Sequence, residues 1–393
     1  MHLIHVPQND LSPVGGPCGY LYNLKNGLDA IDCNEIDFLP ALPFAKRAIR
    51  KASFLVHSHQ SLEQKLEYRA DELLTYLKRD NKPSVDYSRY RSIHFHATRD
   101  LYAYRKSLEH YDGSVVLTSH TPCVPFDEVY ESYKRLTNKT VQSELKILEK
   151  VDEYAFQRAD VVVFPCKAAE EPYYHTWKRY SDIRKEMNVQ YLLTGSPEVV
   201  AKSSSDLIRN QYSIPSDAFV VSFVGRHNDI KGYPDLIKIA KKVLSQRSDV
   251  YFLIAGKIND TIDFPKSDRW IEAGWTNDPY SIINASDLFI LPNRETYFDL
   301  VLIEVLSLGI PVLASCTGGN KWFSSINAPG INLFKSEDEA IESIFKAYAM
   351  YKMDSFCFTP SNKEIYREYF TVNEFARNYI RLITTIQRDA NAD

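Results

Sequence analysis

Residues 219–242 read FVVSFVGRHNDIKGYPDLIKIAKK, and this stretch decides the fold. A mostly apolar run ends at Gly225, a loop with two cations follows, and helical periodicity begins near Pro234. A continuous Val/Phe run is typical of a strand buried on both faces, as in parallel sheets covered by helices. Proline suits the first turn of a helix because its missing N–H would have no partner there. The stretch therefore predicts a strand, a loop and a helix in succession.

The same succession recurs along the whole chain of 393 residues. Apolar runs predict strands at 2–6, 54–57, 92–96, 115–119, 161–165, 190–194, 219–225, 250–255, 288–292 and 311–315. Helical periodicity predicts helices at 62–77, 141–159, 234–245, 300–308, 337–350 and 372–387. Such alternation predicts an α/β fold of doubly wound, Rossmann-like units.

A polar stretch separates two series of these units. Residues 201–217 read AKSSSDLIRNQYSIPSD, and we place a domain boundary there. The prediction is an N-terminal domain of residues 1–200, to which the C-terminal helix 372–390 returns, and a second domain of residues 201–371. By sequence alone that last helix is compatible with either domain. Two open α/β sheets that face each other form a cleft at the carboxyl ends of their strands, where ligands bind.

Composition excludes several classes of protein. Hydrophobic residues make up 44% and the net charge is −4, and residues 1–200 carry 26 Lys/Arg against 27 Asp/Glu. A nucleic-acid-binding protein would need a basic excess, so we expect no nucleic acid partner. The sequence has no run of 18 apolar residues and no signal-peptide pattern at its start, which predicts a cytoplasmic protein. Its six cysteines have no C-x-x-C spacing, so we expect free thiols and no metal site.

Two segments carry the chemistry. Arg226 and Lys231 lie on the loop after the first strand of the second domain, and such cations can hold a diphosphate. Taken alone, they are also compatible with an ordinary solvated loop. In residues 288–319, a helix that begins near Asp299 turns its free N–H groups toward the loop 294–298, which favours an anionic ligand. Glu304 on this helix either accepts hydrogen bonds from vicinal sugar hydroxyls or is an ordinary exposed helix residue.

Together the two segments resemble the donor domain of the retaining GT-B glycosyltransferases of family 4. The resemblance spans residues 225–319. The combination of motifs is far more specific than any one of them alone. The matching positions are Gly225-Arg226, Lys231-Gly232, Phe298-Asp299-Leu300 through Glu304, Gly309 to Val312, and Gly318-Gly319.

The resemblance implies an activity. The second domain would bind a nucleotide-diphosphate sugar, with UDP as the guess from family frequency, and the first would bind a glycan, lipid-linked or protein acceptor. A hexosyl group would be transferred with retention of configuration, in surface polysaccharide or glycoconjugate synthesis. No metal or other cofactor is implied, because Arg226, Lys231 and helix N-termini can neutralise the leaving diphosphate. The leaving phosphate itself would take the proton of the acceptor.

The chain departs from the family pattern at two positions. The first glutamate of the family stands eight residues before Glu304, where this chain has Thr296, and Glu295 lies one residue too early. Either Glu295 reaches the sugar through a shifted loop or Thr296 and backbone amides replace it, so both are catalytic candidates. Asp299 stands where the family has glycine, within the donor loop formed by Phe298, Asp299 and Leu300.

The N-terminal half resembles the family more weakly. Gly15 and Gly16 follow the first strand and can let the backbone approach a phosphate. Residues 115–122, VVLTSHTP, resemble the strand whose histidine faces the donor sugar, which makes His120 a catalytic candidate. The lesser candidates are His94, His96, His57 and His59, and histidines at strand ends are also common as structural residues.

Residues 42–55, LPFAKRAIRKASFL, place four cations between apolar residues. Lys46, Arg47, Arg50 and Lys51 predict peripheral contact with the inner face of the membrane, or else a solvated helix face.

Two other functions share this architecture. A GT-B-fold epimerase would convert a nucleotide sugar without an acceptor, and a two-domain sugar-binding protein would show no turnover.

Overall fold

The computed structural model describes residues 1–7, 11–13, 16–40, 61–133, 136–257 and 264–390. The chain divides into two compact units. Unit 1 comprises Met1–Pro165, Pro172–Leu193 and Phe375–Asp393, and unit 2 comprises Cys166–Glu171 and Thr194–Glu374.

This division differs from the predicted one at residue 200, because residues 194–200 belong to unit 2. The segment is held there by hydrogen bonds: Ser196 N donates to Phe370 O at 2.9 Å, and the Tyr366 hydroxyl donates to Ser196 O at 3.0 Å. The polar stretch at 201–217, rather than being a linker, contains a helix, Ser205–Gln211.

Unit 1 is built on a parallel sheet. Its strands are β1 (His2–Val6), β2 (Ile36–Pro40), β3 (Ser92–Phe95), β4 (Ser114–Leu117), β5 (Val161–Phe164) and β6 (Val189–Tyr191). They lie in the order β2-β1-β3-β4-β5-β6, and all pairings are parallel. The chain adds β2 on one side of β1 and the later strands on the other. The sheet is therefore doubly wound, with its topological switch point between β1 and β3.

Unit 2 repeats this plan. Its strands are β7 (Phe219–Val224), β8 (Val250–Ala255), β9 (Trp270–Gly274), β10 (Leu288–Leu291), β11 (Val312–Ser315) and β12 (Ile331–Phe334). Their order is β12-β11-β10-β7-β8-β9, again with parallel pairing. The switch point lies between β7 and β10, so the loops that follow these two strands are where an open α/β sheet binds its ligand.

Helices cover the faces of both sheets. Up to residue 183 they are α1 (Gly16–Ala30), α2 (Leu62–Lys78), α3 (Thr98–Ala103), α4 (Pro125–Ser132), α5 (Lys139–Leu145), α6 (Ile147–Arg158), α7 (Glu171–Thr176) and α8 (Tyr180–Ile183). Beyond it they are α9 (Ser205–Gln211), α10 (Tyr233–Gln246), α11 (Pro279–Asn284), α12 (Leu300–Leu308), α13 (Glu337–Lys352), α14 (Thr359–Tyr369) and α15 (Val372–Ala390). None of the helices in the described ranges is long and apolar enough to span a bilayer.

Most of the C-terminal helix α15 belongs to unit 1. Phe375 and Tyr379 on α15 are fully buried in one apolar cluster with Tyr20 and Leu24 of α1. Burying aromatic side chains of this size contributes about 1.5–3 kcal/mol each, which accounts for this placement.

The structure confirms the doubly wound α/β prediction and corrects its details. The predicted strand at 54–57 lies outside the described residues. The strands that the prediction missed, β2, β9 and β12, are all edge strands. Parts of β9 and β12 are only half-buried, so these strands lack the continuous apolar run of a central one. The predicted helix 141–159 is two helices, α5 and α6, separated at Lys146.

Candidate functional site

The loop after β7 is held against the loop after β10. Asn228 Oδ1 accepts a hydrogen bond from Lys231 N at 3.0 Å, and Arg294 N donates to Ile230 O at 2.9 Å. Gly232 has φ 64°, and a Cβ there would lie 1.6 Å from Pro292 O. The two loops at the switch point of unit 2 are therefore in backbone contact, and only glycine fits at position 232.

The two predicted diphosphate-binding cations differ in their surroundings. Arg226 is exposed, and no ion pair joins it to another described residue. Lys231 Nζ lies 2.5 Å from Asp299 Oδ1, and their side chains are only 20% and 17% exposed. Asn293 Nδ2 donates to the other carboxylate oxygen. The prediction treated Lys231 as an available cation, and the structure shows its charge balanced by Asp299.

Asp299 is also the N-cap residue of α12, as the sequence predicted. Its side chain makes no capping hydrogen bond to the N–H groups of the helix. The carboxylate is engaged by Lys231 and Asn293 instead, so the first N–H groups of α12 are not capped by it. Helix N-termini of this kind favour anions.

The loop after β10 is anchored by Phe298. Its ring lies 6.5 Å from Trp322, 6.0 Å from Phe323 and 5.9 Å from Phe370, measured between ring centroids. Leu300, the first residue of α12, is half-buried. These contacts hold the loop in place through packing.

Glu295 and Thr296, the two catalytic candidates, have different environments. Thr296 is 2% exposed, and its Oγ1 makes no hydrogen bond to another described group. Its carbonyl accepts a hydrogen bond from Gly319 N at 3.2 Å, and a Cβ at Gly318 would come within 2.0 Å of the same oxygen. Glu295 is half-buried. The structure thus brings Gly318 and Gly319 directly onto the loop after β10.

The Gly318-Gly319 turn is fixed by a residue that sequence reasoning missed. Glu171 accepts a hydrogen bond from Gly318 N at 3.1 Å and pairs with Lys321 Nζ at 2.6 Å. No sequence signal links Glu171 to this turn, because the two lie 147 positions apart.

Glu304 is half-buried rather than exposed. Burial raises the pKa of its carboxyl to about 6, with a smaller contribution from Asp299, while a hydrogen bond from the Tyr280 hydroxyl opposes the rise. The group is mainly ionised at neutral pH and protonates in mild acid. As a carboxylate it accepts hydrogen bonds only, which suits a pair of hydroxyl donors. The sequence did not predict a role for Tyr280, since this residue of α11 belongs to no recognisable motif.

In unit 1, Gly16 begins α1 with φ 51°, is exposed, and faces open space. The other candidates in that region, Gly15, His57, His59, Lys46, Arg47, Arg50 and Lys51, lie outside the described residues.

His120 lies three residues beyond the end of β4, not at the strand terminus as predicted. It has φ 63°, and its Nε2 is 2.8 Å from His96 Nδ1. The ring of Tyr20 meets it edge-on at 4.6 Å. Burial lowers the pKa of His120 to about 3 and lowers that of His96 as well. Both rings are neutral at pH 7, so His120 can act as a hydrogen-bonding group and not as a cation.

His94 has a structural role. Its Nε2 lies 2.9 Å from Thr118 Oγ1, and its Nδ1 lies 3.1 Å from the Tyr379 hydroxyl. Both ring nitrogens are thus engaged within the core, which agrees with the structural alternative for this residue. Across the described ranges, no group of three or more His, Cys, Asp or Glu side chains is arranged to hold a metal ion.

Comparisons with known proteins show which sequences and folds this chain resembles. Residues 218–348 match the model of the family described as "Glycosyl transferases group 1". The lipopolysaccharide core biosynthesis glycosyltransferase LpsE of Rhizobium meliloti (strain 1021) is 28% identical over 153 residues, 37% of this chain and 43% of that protein. UDP-Gal:alpha-D-GlcNAc-diphosphoundecaprenol alpha-1,3-galactosyltransferase of Escherichia coli is 29% identical over 130 residues, 30% of this chain and 34% of that protein. The alignments thus span less than half of either relative.

Solved structures match along almost the whole chain. Sucrose-phosphate synthase (tll1590) from Thermosynechococcus elongatus has a TM-score of 0.64 at 16% identity, covering 98% of both chains. Anabaena Alr3699/HepE in complex with UDP has a TM-score of 0.63 at 14% identity, covering 98% of this chain and 99% of that one. At 14–16% sequence identity, structural similarity establishes the fold alone. The chain therefore has the GT-B fold, and its residues 218–348 are similar to the group 1 glycosyltransferases.

Proposed function

We propose that the protein is a retaining glycosyltransferase of family 4 that transfers a hexosyl group from a UDP-sugar to a glycan or lipid-linked acceptor in surface polysaccharide synthesis. Support comes from relatives whose names include lipopolysaccharide core biosynthesis and a UDP-Gal donor, and from a fold neighbour described in complex with UDP.

One observation carries the proposal. At the switch point of unit 2, a half-buried cation, Lys231, meets the start of α12, whose N–H groups Asp299 does not cap. Lysine and a helix N-terminus are both suited to a phosphate. Arg226, on the same loop, supplies a second charge. Together they would stabilise the negative charge that develops on the diphosphate as the bond to the sugar breaks.

The remaining roles are proposed from the resemblance of the sequence to the family. Glu304 would accept hydrogen bonds from the ribose hydroxyls, and neutral His120 would hydrogen-bond the donor sugar. The leaving phosphate oxygen would take the proton of the acceptor hydroxyl on the same face of the sugar, so that configuration is retained. The proposal requires no metal or other cofactor.

Incubation of the protein with UDP-glucose labelled in the sugar tests the activity. Transfer to a lipid or glycan acceptor, or slow hydrolysis without one, supports a glycosyltransferase. A labelled epimer that forms without acceptor would identify an epimerase, and binding without turnover would identify a sugar-binding protein. A melting-temperature panel of nucleoside diphosphates identifies the base, because a ligand at 100 times its Kd adds about 2.7 kcal/mol of stability.

The proposal includes a cytoplasmic location and peripheral contact with a membrane through Lys46, Arg47, Arg50 and Lys51. Sedimentation with anionic vesicles tests it: binding that survives replacement of all four by alanine would contradict this contact.

We expect Arg226→Ala to weaken UDP binding about 10- to 100-fold, because charge-assisted hydrogen bonds to phosphate contribute about 1.5–3 kcal/mol. The melting temperature should not change, since the side chain is exposed. Calorimetry with UDP and with uridine checks this. Equal losses for both ligands would show that Arg226 does not contact the diphosphate.

The affinity for UDP-glucose should fall as pH drops through about 6, because protonation of Glu304 removes the acceptor for the ribose hydroxyls. UDP-glucose is the suitable probe since it has no terminal phosphate that titrates in this range. Calorimetry at pH 7.5 and 5.5 measures the effect. Glu304→Gln should bind more weakly at pH 7.5 and lose the dependence, and an unchanged pH profile in that variant would exclude this role.

A further inference from the structure

In the proposed function Lys231 binds the diphosphate, and the same ammonium group is already in contact with Asp299. Its Oδ1 lies 2.5 Å from Lys231 Nζ, and its other oxygen accepts a hydrogen bond from Asn293. With less than a fifth of the Asp299 side chain exposed, water screens this pair only weakly. The Lys231 charge is thus balanced by Asp299.

The orientation of the side chain is unusual for its place. An N-cap aspartate ordinarily accepts a hydrogen bond from an N–H group in the first turn of its helix. Asp299 makes no such bond, whereas Asp278, the N-cap residue of α11, accepts one from Ser281 N at 3.3 Å. Asp299 therefore acts on Lys231 and not on its own helix.

We propose that Asp299 is an internal counter-anion that lowers the affinity of this site for phosphate ligands, most strongly for the free nucleoside diphosphate. The inference rests on the proposed function. A diphosphate that binds here must share Lys231 with a fixed carboxylate, and the repulsion grows with the charge of the ligand. UDP has a terminal phosphate that carries an additional charge at pH 7.5, and UDP-glucose does not. Asp299 thereby favours the donor over the product and aids release of the product.

Asp299→Asn tests this proposal, because asparagine is nearly isosteric and is an equally good N-cap residue. Calorimetry at pH 7.5 compares UDP with UDP-glucose in the wild type and in the variant. We expect UDP to bind about tenfold more tightly in the variant and UDP-glucose about threefold more tightly, as expected for removal of a nearby like charge.

Asp229→Asn is the matched control. It removes the same charge from the loop after β7, but Asp229 is 79% exposed and pairs with Arg294. We expect Asp229→Asn to change the Kd of either ligand by less than about twofold, since solvent screens exposed charges. Asp299→Gly, the residue of the family at this position, provides a second variant should Asp299→Asn have a lowered melting temperature.

The outcomes separate the two proposals. Tighter binding with a larger gain for UDP supports the counter-anion role. Unchanged UDP binding would overturn it. Weaker UDP binding would also overturn it and would show that Asp299 instead positions Lys231 for the phosphate. Equal gains for the two ligands would overturn the preference for donor over product. If the wild type and both variants bind neither UDP nor UDP-glucose, the proposed function itself fails.

Discussion

Glu295→Ala should lower kcat for sugar transfer by about 100-fold, the scale of loss when one electrostatic contact to the transition state is removed. A carboxylate can accept two hydrogen bonds from sugar hydroxyls, and its charge stabilises a developing positive charge at the anomeric carbon. Steady-state kinetics with UDP-glucose measure kcat, and melting temperatures verify folding.

Thr296→Val is the partner experiment. Because Thr296 Oγ1 is buried and makes no hydrogen bond to another described group, its replacement by an isosteric methyl should leave the melting temperature nearly unchanged. If Thr296 serves the sugar in place of Glu295, the order of the two kinetic effects reverses. Near-normal kcat in both variants would show that the loop acts through its backbone amides and that both side-chain assignments are wrong.

Gly232→Ala should destabilise the protein by about 3 kcal/mol or more and abolish UDP binding. The new methyl group would lie 1.6 Å from Pro292 O, and the backbone at φ 64° is unfavourable for any residue with a Cβ. The loop after β7 would have to move away from the loop after β10, and Lys231 would move with it. Thermal unfolding and calorimetry with UDP measure the two effects.

Gly16→Ala is the control for the backbone effect alone. Gly16 has φ 51°, but a Cβ there meets nothing within 4 Å. We expect Gly16→Ala to lower the free energy of unfolding by only about 1 kcal/mol, because the left-handed backbone conformation is its single unfavourable effect. Equal destabilisation by the two substitutions would mean that the contact with Pro292 is not what requires glycine at position 232.

How far the sequence predicts this molecule depends on the burial of each element. The central strands β7, β8 and β10 are almost continuous apolar runs because helices cover both of their faces, and their positions were predicted to within one residue. The edge strand β9 is half-buried and has no such run, so it was missed. Prediction succeeded where burial imposes a pattern on consecutive residues.

Some features of the candidate site have a local signal in the sequence, and others have none. The start of α12 at Asp299 and the predicted Gly318-Gly319 turn were evident from local signals, namely helical periodicity and paired glycines. Glu171 and Gly318 are in contact but lie 147 positions apart, so no local pattern in the sequence indicates this contact. The hydrogen bond of Tyr280 to Glu304 is equally invisible, because nothing near Tyr280 in the chain indicates its partner.

The sequence by itself determined the α/β class, the repeated strand–helix order and the residue types available at the switch point, because these follow from periodicity and from the chemistry of single side chains. Only the tertiary structure decided how those residues act on one another. Lys231 and Asp299 stand 68 positions apart, and β7 and β10 had to pair before the loop of one could bring its ammonium to the carboxylate of the other. Ionic interactions fall off with distance and strengthen with burial, and both quantities are properties of the folded chain.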